Sequence, residues 1–323
     1  MTTTATEPTT TPLISIVAPF YNEAEGIEYF REAILAVMEG IADVRFEIVC
    51  VDDGSKDSTL SQLVALSTRD PRFRVVELTR NFGKEAALTA GIDFARGNAV
   101  IPIDSDLQDP PELIPVLIDE WRKGAEVVLA RRADRGTDSF LKRKTAEMFY
   151  SFHNRLSSVK IPHNVGDFRL MDRVAVDALK SLPERQRFMK GLFAWIGYKT
   201  VVVDYVRKPR MAGETKFSGW KLWNFALEGI TSFSTAPLRI WTYVGGIGAL
   251  LTVAYALFII TRTLIHGIDL PGYASLLVAI LFFGSLQLIS VGLLGEYIGR
   301  IYLETKQRPT YLVRREHGTP DES

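Results

Sequence analysis

At 323 residues, with 47% hydrophobic residues and a formal net charge of zero, the chain can bury a sizeable core and hold more than one domain. Neutrality argues against a general nucleic-acid binder, which needs a basic excess to hold phosphates. The single cysteine, Cys50, rules out an internal disulfide and a cysteine-cluster metal site, and His153, His163, His266 and His317 lack ligand spacing, so no zinc site is expected.

Residues 1–12 have neither a basic leader nor an apolar run and predict a disordered tail, not a signal peptide. A strand over 13–19 precedes a helix over 25–39, on which Ile27, Phe30, Ile34, Val37 and Ile41 recur at helical spacing. A strand over 46–51 ends in Asp52-Asp53-Gly54-Ser55; a helix over 58–67, a strand over 74–77, a helix over 85–95 and a strand over 99–103 follow. Short apolar strands alternating with amphipathic helices predict a parallel sheet covered on both faces, with ligands at the carboxyl ends of the strands. Three of those ends carry acids or turn residues: Pro19-Phe20-Tyr21-Asn22-Glu23, Asp52-Asp53-Gly54-Ser55 and Asp104-Ser105-Asp106.

Strand alternation aims Asp104 and Asp106 at one side, where like charges repel unless a cation sits between them. Hard divalent ions such as Mg²⁺ or Mn²⁺ favour one or two carboxylates plus phosphate oxygens, so a metal-bound nucleotide is the expected guest. Asp109-Pro110-Pro111-Glu112 reads as a helix start with Asp109 near the N-cap, the helix running to 123. A strand over 126–130 runs into Arg131-Arg132, a pairing suited to phosphate. Beyond it are a helix over 140–159, a turn and short strand over 166–171 with Asp167 on the site's side, a helix over 186–195 bearing Arg187 and Lys190, and a strand over 200–206.

From 207 to 239 basic residues, Lys216 and Lys221 among them, interleave with Trp220, Trp223 and Phe225, predicting an amphipathic helix in a bilayer interface. Two stretches, 240–260 and 273–295, each run more than twenty residues without a charge, about 30 Å as a helix, and predict a transmembrane hairpin. Arg239 before the first span and Arg300, Lys306, Arg308, Arg314 and Arg315 after the second put both termini on the cytoplasmic side, with 300–323 as a cytoplasmic tail.

In this order the segments resemble the inverting family 2 glycosyltransferases of GT-A, Rossmann-like, α/β fold. More narrowly the chain is similar to the bacterial polyisoprenyl-phosphate glycosyltransferases, the bactoprenol glucosyltransferase group related to dolichol-phosphate mannose synthases. The motifs that carry the likeness are those three strand ends, Arg80-Asn81-Phe82-Gly83-Lys84, Leu107-Gln108-Asp109-Pro110-Pro111-Glu112, Asp167-Phe168-Arg169 and the two spans. The resemblance implies a catalytic domain over 13–206, an interface segment over 207–239 and a membrane hairpin over 240–299. It places Pro19, Tyr21, Glu23, Asp52, Asp53, Lys84 and Asp104 at a nucleotide sugar. Asp104, Asp106 and Gln108 would hold the divalent metal, and Asp104, Asp106 and Asp167 would act in catalysis. Arg131, Arg187, Lys190 and Lys216 are its candidates for the acceptor phosphate.

The implied reaction moves one hexose, with UDP-glucose the leading donor, to undecaprenyl phosphate, supplying a lipid-linked sugar for cell-envelope glycan modification. The implied setting is the bacterial inner membrane, with the protein multi-pass, homo-oligomeric (a tetramer) and its catalytic domain cytoplasmic. Processive synthases of the superfamily carry Gln-x-x-Arg-Trp, whereas this chain reads Gln186-Arg187-Phe188-Met189-Lys190, which counts against polymer synthesis. The alternatives are a processive or other-sugar membrane synthase using GDP-mannose or UDP-N-acetylglucosamine, and a catalytically inactive membrane adaptor that keeps the nucleotide-binding fold.

Overall fold

The computed structural model describes residues 11–133, 165–185, 187, 189–205, 236–266 and 272–318. Residues 1–10 of the expected tail, the expected helix over 140–159 and residues 207–235 of the interface segment, with Lys216, Lys221, Trp220 and Trp223, lie outside them, as do Gln186 and Phe188.

The first half alternates as its sequence dictates: β1 (Leu13–Phe20), α1 (Ile27–Glu39), β2 (Arg45–Asp52), α2 (Thr59–Arg69), β3 (Phe73–Leu78), α3 (Lys84–Phe94) and β4 (Ala99–Pro102). Then come α4 (Ile114–Arg122), β5 (Val127–Arg132), β6 (Val165–Asp172), α5 (Arg173–Lys180), α6 (Met189–Trp195) and β7 (Thr200–Tyr205). The chain closes with α7 (Ala236–His266), α8 (Tyr273–Thr305) and β8 (Val313–His317).

One sheet holds all eight strands in the order β7-β5-β6-β4-β1-β2-β3-β8. It is mixed, not purely parallel: β6 runs against both β4 and β5, and β8 runs against β3. Period-two alternation sorts side chains to two layers. Ile14, Ile16, Ala18 and Phe20 of β1 join Phe30 and Ile34 of α1, Leu63 of α2 and Leu117 of α4 on one face. Val17, Val49 and Val51 meet Ala87 and Leu88 of α3 and Ala175, Val176 and Leu179 of α5 on the other. Each of the buried Val, Leu, Ile and Phe side chains stabilises the fold by about 1.5–3 kcal/mol. At Gly91 a Cβ would lie 2.2 Å from Val17 Cγ1, so only glycine lets α3 sit this close to the sheet.

Helix α5 was not foreseen, although Asp172 caps it by accepting from the Val174 N–H at 3.0 Å. Helices α7 and α8 extend past the expected spans at both outer ends, and both are long and apolar enough to cross a membrane. Leu250, Leu264 and Leu288 turn outward, 73–82% exposed, as lipid-facing side chains would. Where the sequence reading has a tail over 300–323, the chain instead continues α8 to Thr305 and returns as β8 to finish the sheet. The sheet is therefore completed by residues from beyond the two long helices.

Candidate active site

The loop after β1 is fastened to the loop after β2. Asn22 N–H donates to Ser55 Oγ at 3.0 Å, Lys56 N–H to Asn22 Oδ1 at 2.8 Å, and Glu23 N–H to Thr59 Oγ1 at 2.9 Å. Tyr21 and Glu23 are left on the open rim, Tyr21 being 41% exposed, while Pro19 is half-buried. Asp52 is buried below them, with Oδ2 accepting from the Ser55 N–H and Oδ1 without a hydrogen-bond partner. Burial raises its carboxyl above the ordinary carboxylate range. A buried acceptor left open at a strand end is a ready partner for a donor group on a ligand.

Asp53 behaves differently from its neighbour. Its carboxylate accepts from Phe82 N–H at 2.7 Å, Gly83 N–H at 2.9 Å and Asn81 Nδ2 at 3.0 Å. Both oxygens are taken up by the loop after β3, so the structure gives Asp53 the role of anchoring that loop. Gly54, at φ +66°, allows the close approach, since a Cβ there would lie 2.4 Å from the Arg80 carbonyl carbon.

The anchored loop delivers Lys84 at the start of α3. Its Nζ lies 2.7 Å from Asp104 Oδ1 and 3.0 Å from Asp167 Oδ2, bridging the ends of β4 and β6. Burial opposes the lysine's charge, yet the two carboxylates outweigh it and hold the ammonium above its usual range. Burial likewise raises Asp104, with Lys84 pulling against it. At Asp167 burial also pushes upward, but Lys84, Lys190 and Arg169 together keep the carboxyl below its ordinary value. Asp167 Oδ1 is buried without a hydrogen-bond partner.

Asp104 and Asp106 are not aligned by strand alternation, because β4 stops at Pro102 and 104–107 forms a turn closed by Leu107 N–H to Asp104 O at 3.1 Å. Leu107 takes φ +46°, a left-handed conformation uncommon for a branched side chain, while its side chain stays buried. The turn leaves Asp106 exposed, with Gln108 Nε2 donating to its Oδ2 at 2.8 Å. Among the described residues no three acidic, histidine or cysteine side chains gather into a ready-made metal cluster. Asp104, Asp106 and the Gln108 amide nevertheless form an oxygen-bearing set that fits a hard divalent ion completed by diphosphate oxygens.

Asp109, expected near an N-cap, is buried and accepts from Tyr205 Oη at 2.5 Å, with Arg132 Nη2 at 3.8 Å. Of the acceptor candidates, Arg131 turns outward to a two-bond pair with Asp204 at 2.6 and 2.9 Å. Arg187 donates to the carbonyls of Leu182 and Glu184, closing its own turn. Lys190 lies near enough to Asp167 and Glu85 for its charge to pull both carboxyls downward. Two groups escaped the sequence reading. Arg132, the next residue along β5, points inward beside Asp109 and Gly166. Glu85 accepts from Met189 N–H at 3.3 Å, and burial with the charge of Asp167 pushes its carboxyl up to about 7. The Arg131-Arg132 pair signalled the first, without saying which of the two faces inward; for Glu85 the only signal was its place next to Lys84.

Residues 15–180 match the family described as glycosyl transferase family 2, and residues 236–301 match the GtrB C-terminal hairpin. The prophage bactoprenol glucosyl transferase homolog of Escherichia coli K12 is 56% identical over 302 residues, 94% of this chain and 98% of that protein. The bactoprenol glucosyl transferase of Shigella phage SfII is 56% identical over 308 residues, 95% and 99% of the two chains. Among solved structures, the mannosyltransferase PcManGT from Pyrobaculum calidifontis, in complex with GDP-Man and Mn²⁺, is 20% identical with a TM-score of 0.45, covering 94% of this chain and 86% of that one.

Proposed function

Because the chain belongs to glycosyltransferase family 2 and carries the GtrB C-terminal hairpin, we propose that it transfers one glucose from UDP-glucose to undecaprenyl phosphate at the cytoplasmic face of a bacterial inner membrane. The observation that carries this reading is the 56% identity, running through both the catalytic domain and the hairpin, to bactoprenol glucosyl transferases. Such a lipid phosphate stays in the bilayer, and a domain joined to two apolar helices keeps its site at the surface where the phosphate lies.

In this reading Asp52 and the rim of Pro19, Tyr21 and Glu23 receive the nucleoside. A divalent ion held by Asp104, Asp106 and Gln108 would supply positive charge to the departing diphosphate. Lys84 adds a fixed cation between the metal-binding acid and the acceptor-side acid, favouring charge that develops as the sugar leaves. The acceptor is a phosphate monoester with a second pKa of about 6, so it arrives largely ionised and needs no strong base. Asp167, held ionised by three cations, accordingly orients Lys190 and Arg169 instead of taking a proton. Attack by the phosphate oxygen on the anomeric carbon, opposite the leaving diphosphate, inverts the sugar in one displacement.

A panel of radiolabelled UDP-glucose, UDP-galactose, UDP-N-acetylglucosamine and GDP-mannose, each with undecaprenyl phosphate and Mn²⁺, tests the reading. UDP-glucose should label the lipid fastest. Preferential labelling from another donor would overturn the sugar, and labelling from none would overturn the transferase.

A further inference from the structure

Strand β8 and its approach touch the loop before α3, the far end of α3 and the segment before α6. At the end of β3, Thr79 N–H donates to Leu312 O at 2.9 Å and Thr79 O accepts from Arg314 Nη2 at 3.2 Å, so both backbone groups of Thr79 are held by the returning segment. Arg314 Nε also lies 3.4 Å from Glu77 Oε1. At the far end of α3, Tyr311 Oη donates to Asp93 Oδ2 at 2.8 Å. At the last turn of α8, both Glu304 carboxylate oxygens accept from the Arg185 N–H, at 3.0 and 3.1 Å, just before the segment bearing Arg187 and Lys190. The pairing of β8 with β3 is secured further by Glu316 to Arg74 at 3.2 Å and His317 to Glu77 at 3.2 Å.

Thr79 begins the loop whose next residues, Asn81 to Gly83, clamp Asp53 and deliver Lys84. That loop is thus held by Asp53 and by residues 312–314, and Tyr311 holds the far end of α3. We propose that the segment 304–318 is a positioning element for Lys84: Tyr311 and Arg314 fix loop 79–83 and α3, so the second membrane helix and the cation of the site move as one piece. The inference rests on the reading of Lys84 as a donor-side cation. It gives the returning strand a part in transfer beyond covering the sheet edge.

The test uses the full chain in detergent, as parent, Tyr311→Phe, Arg314→Ala, Arg314→Lys and the Tyr311→Phe/Arg314→Ala double variant. Each substitution removes side-chain contacts and leaves the backbone ladder of β8. Amide hydrogen exchange at Asn81, Phe82 and Gly83 reads loop position without any need for activity. In the double variant these amides should exchange roughly tenfold faster, while those inside β1 and β2 stay unchanged. The turnover number with UDP-glucose should fall about tenfold with the KM for undecaprenyl phosphate unmoved, and Arg314→Lys should lose less than Arg314→Ala. Parent-like exchange at 81–83 together with parent-like turnover in the double variant would overturn the proposal, even if its melting temperature fell, because β8 would then be only an edge cover. A parent that transfers no sugar counts against the transferase reading alone, since the exchange comparison still decides the positioning.

Discussion

Lys84 Nζ stands 3.0 Å from Asp167 Oδ2 while also touching Asp104 at 2.7 Å, so one ammonium ties the carboxylate proposed to hold the metal to the carboxylate proposed for the acceptor side. The bridge joins strand ends that are 63 residues apart in the chain, counted from Asp104 to Asp167. It explains how the two acids stay close before any substrate arrives.

Replacing Lys84 by Met keeps the stem and removes the charge. Turnover should fall about 100-fold, the loss expected when a fixed positive group aimed at developing negative charge is deleted. Steady-state kinetics beside circular dichroism will check it; a loss under threefold in a folded variant would mean the bridge is structural only.

Glu85 gives a pH dependence of stability. Its carboxyl is raised to about 7 in the folded protein, above the ordinary 4.5, so between those values the folded state binds more protons than the unfolded one. Its contribution is therefore neutral below about pH 4.5, grows destabilising as pH rises from there to about 7, and levels off above 7. Glu85→Gln, which keeps an acceptor for the Met189 N–H, should stabilise the protein at pH 8 by on the order of 2 kcal/mol and change little at pH 5. Melting curves at both pH values measure the difference; equal shifts would contradict it.

Glu47 is buried near the start of β2, accepting from Ser15 Oγ and Arg96 N–H at 2.6 Å each and from Arg74 Nη1 at 2.8 Å. Glu47→Ala leaves the Arg74 guanidinium buried without that partner and should cost about 3–5 kcal/mol. Denaturant unfolding of the parent and variant reads this directly. A change under about 1 kcal/mol would show the pair to be near neutral.

Arg131 and Arg132 should separate in kinetics. Arg132→Ala removes the cation that lies inward beside Asp109 and Gly166, and turnover on lipid acceptor should drop at least roughly tenfold. Arg131→Ala breaks an exposed pair with Asp204 and should change turnover less than about twofold. The reverse order would return the acceptor phosphate to Arg131.

Much of this architecture is written in local pattern. The strands of the βα units carry continuous apolar runs and their helices carry one apolar face, so β1 to β5 lie within two residues of where periodicity puts them. Asp52 and Asp104 were legible because each closes or follows an apolar strand, and Asp167 because it comes just after Gly166 at the start of another. What escaped depends on distant partners. Val313-Arg314-Arg315-Glu316-His317 has a single apolar residue, and it becomes a strand only because Arg74, Glu77 and the free edge of β3 receive it. Asp53 looks like Asp52 in sequence, and only the fold of loop 81–83 shows that its oxygens are occupied. Asp172 with Ala175, Val176 and Leu179 did carry the signal for α5, in the form of an N-cap followed by apolar residues at helical spacing.

A single inverting transfer to a lipid phosphate leaves its record in the product. UDP-glucose, whose sugar is α-linked, is incubated with the full-length protein, Mn²⁺ and undecaprenyl phosphate, and the extracted lipid is examined by mass spectrometry and proton NMR. One added hexose in β linkage to the phosphate is expected, with none formed when the metal is chelated. A lipid bearing several hexoses, or one hexose in α linkage, would contradict it.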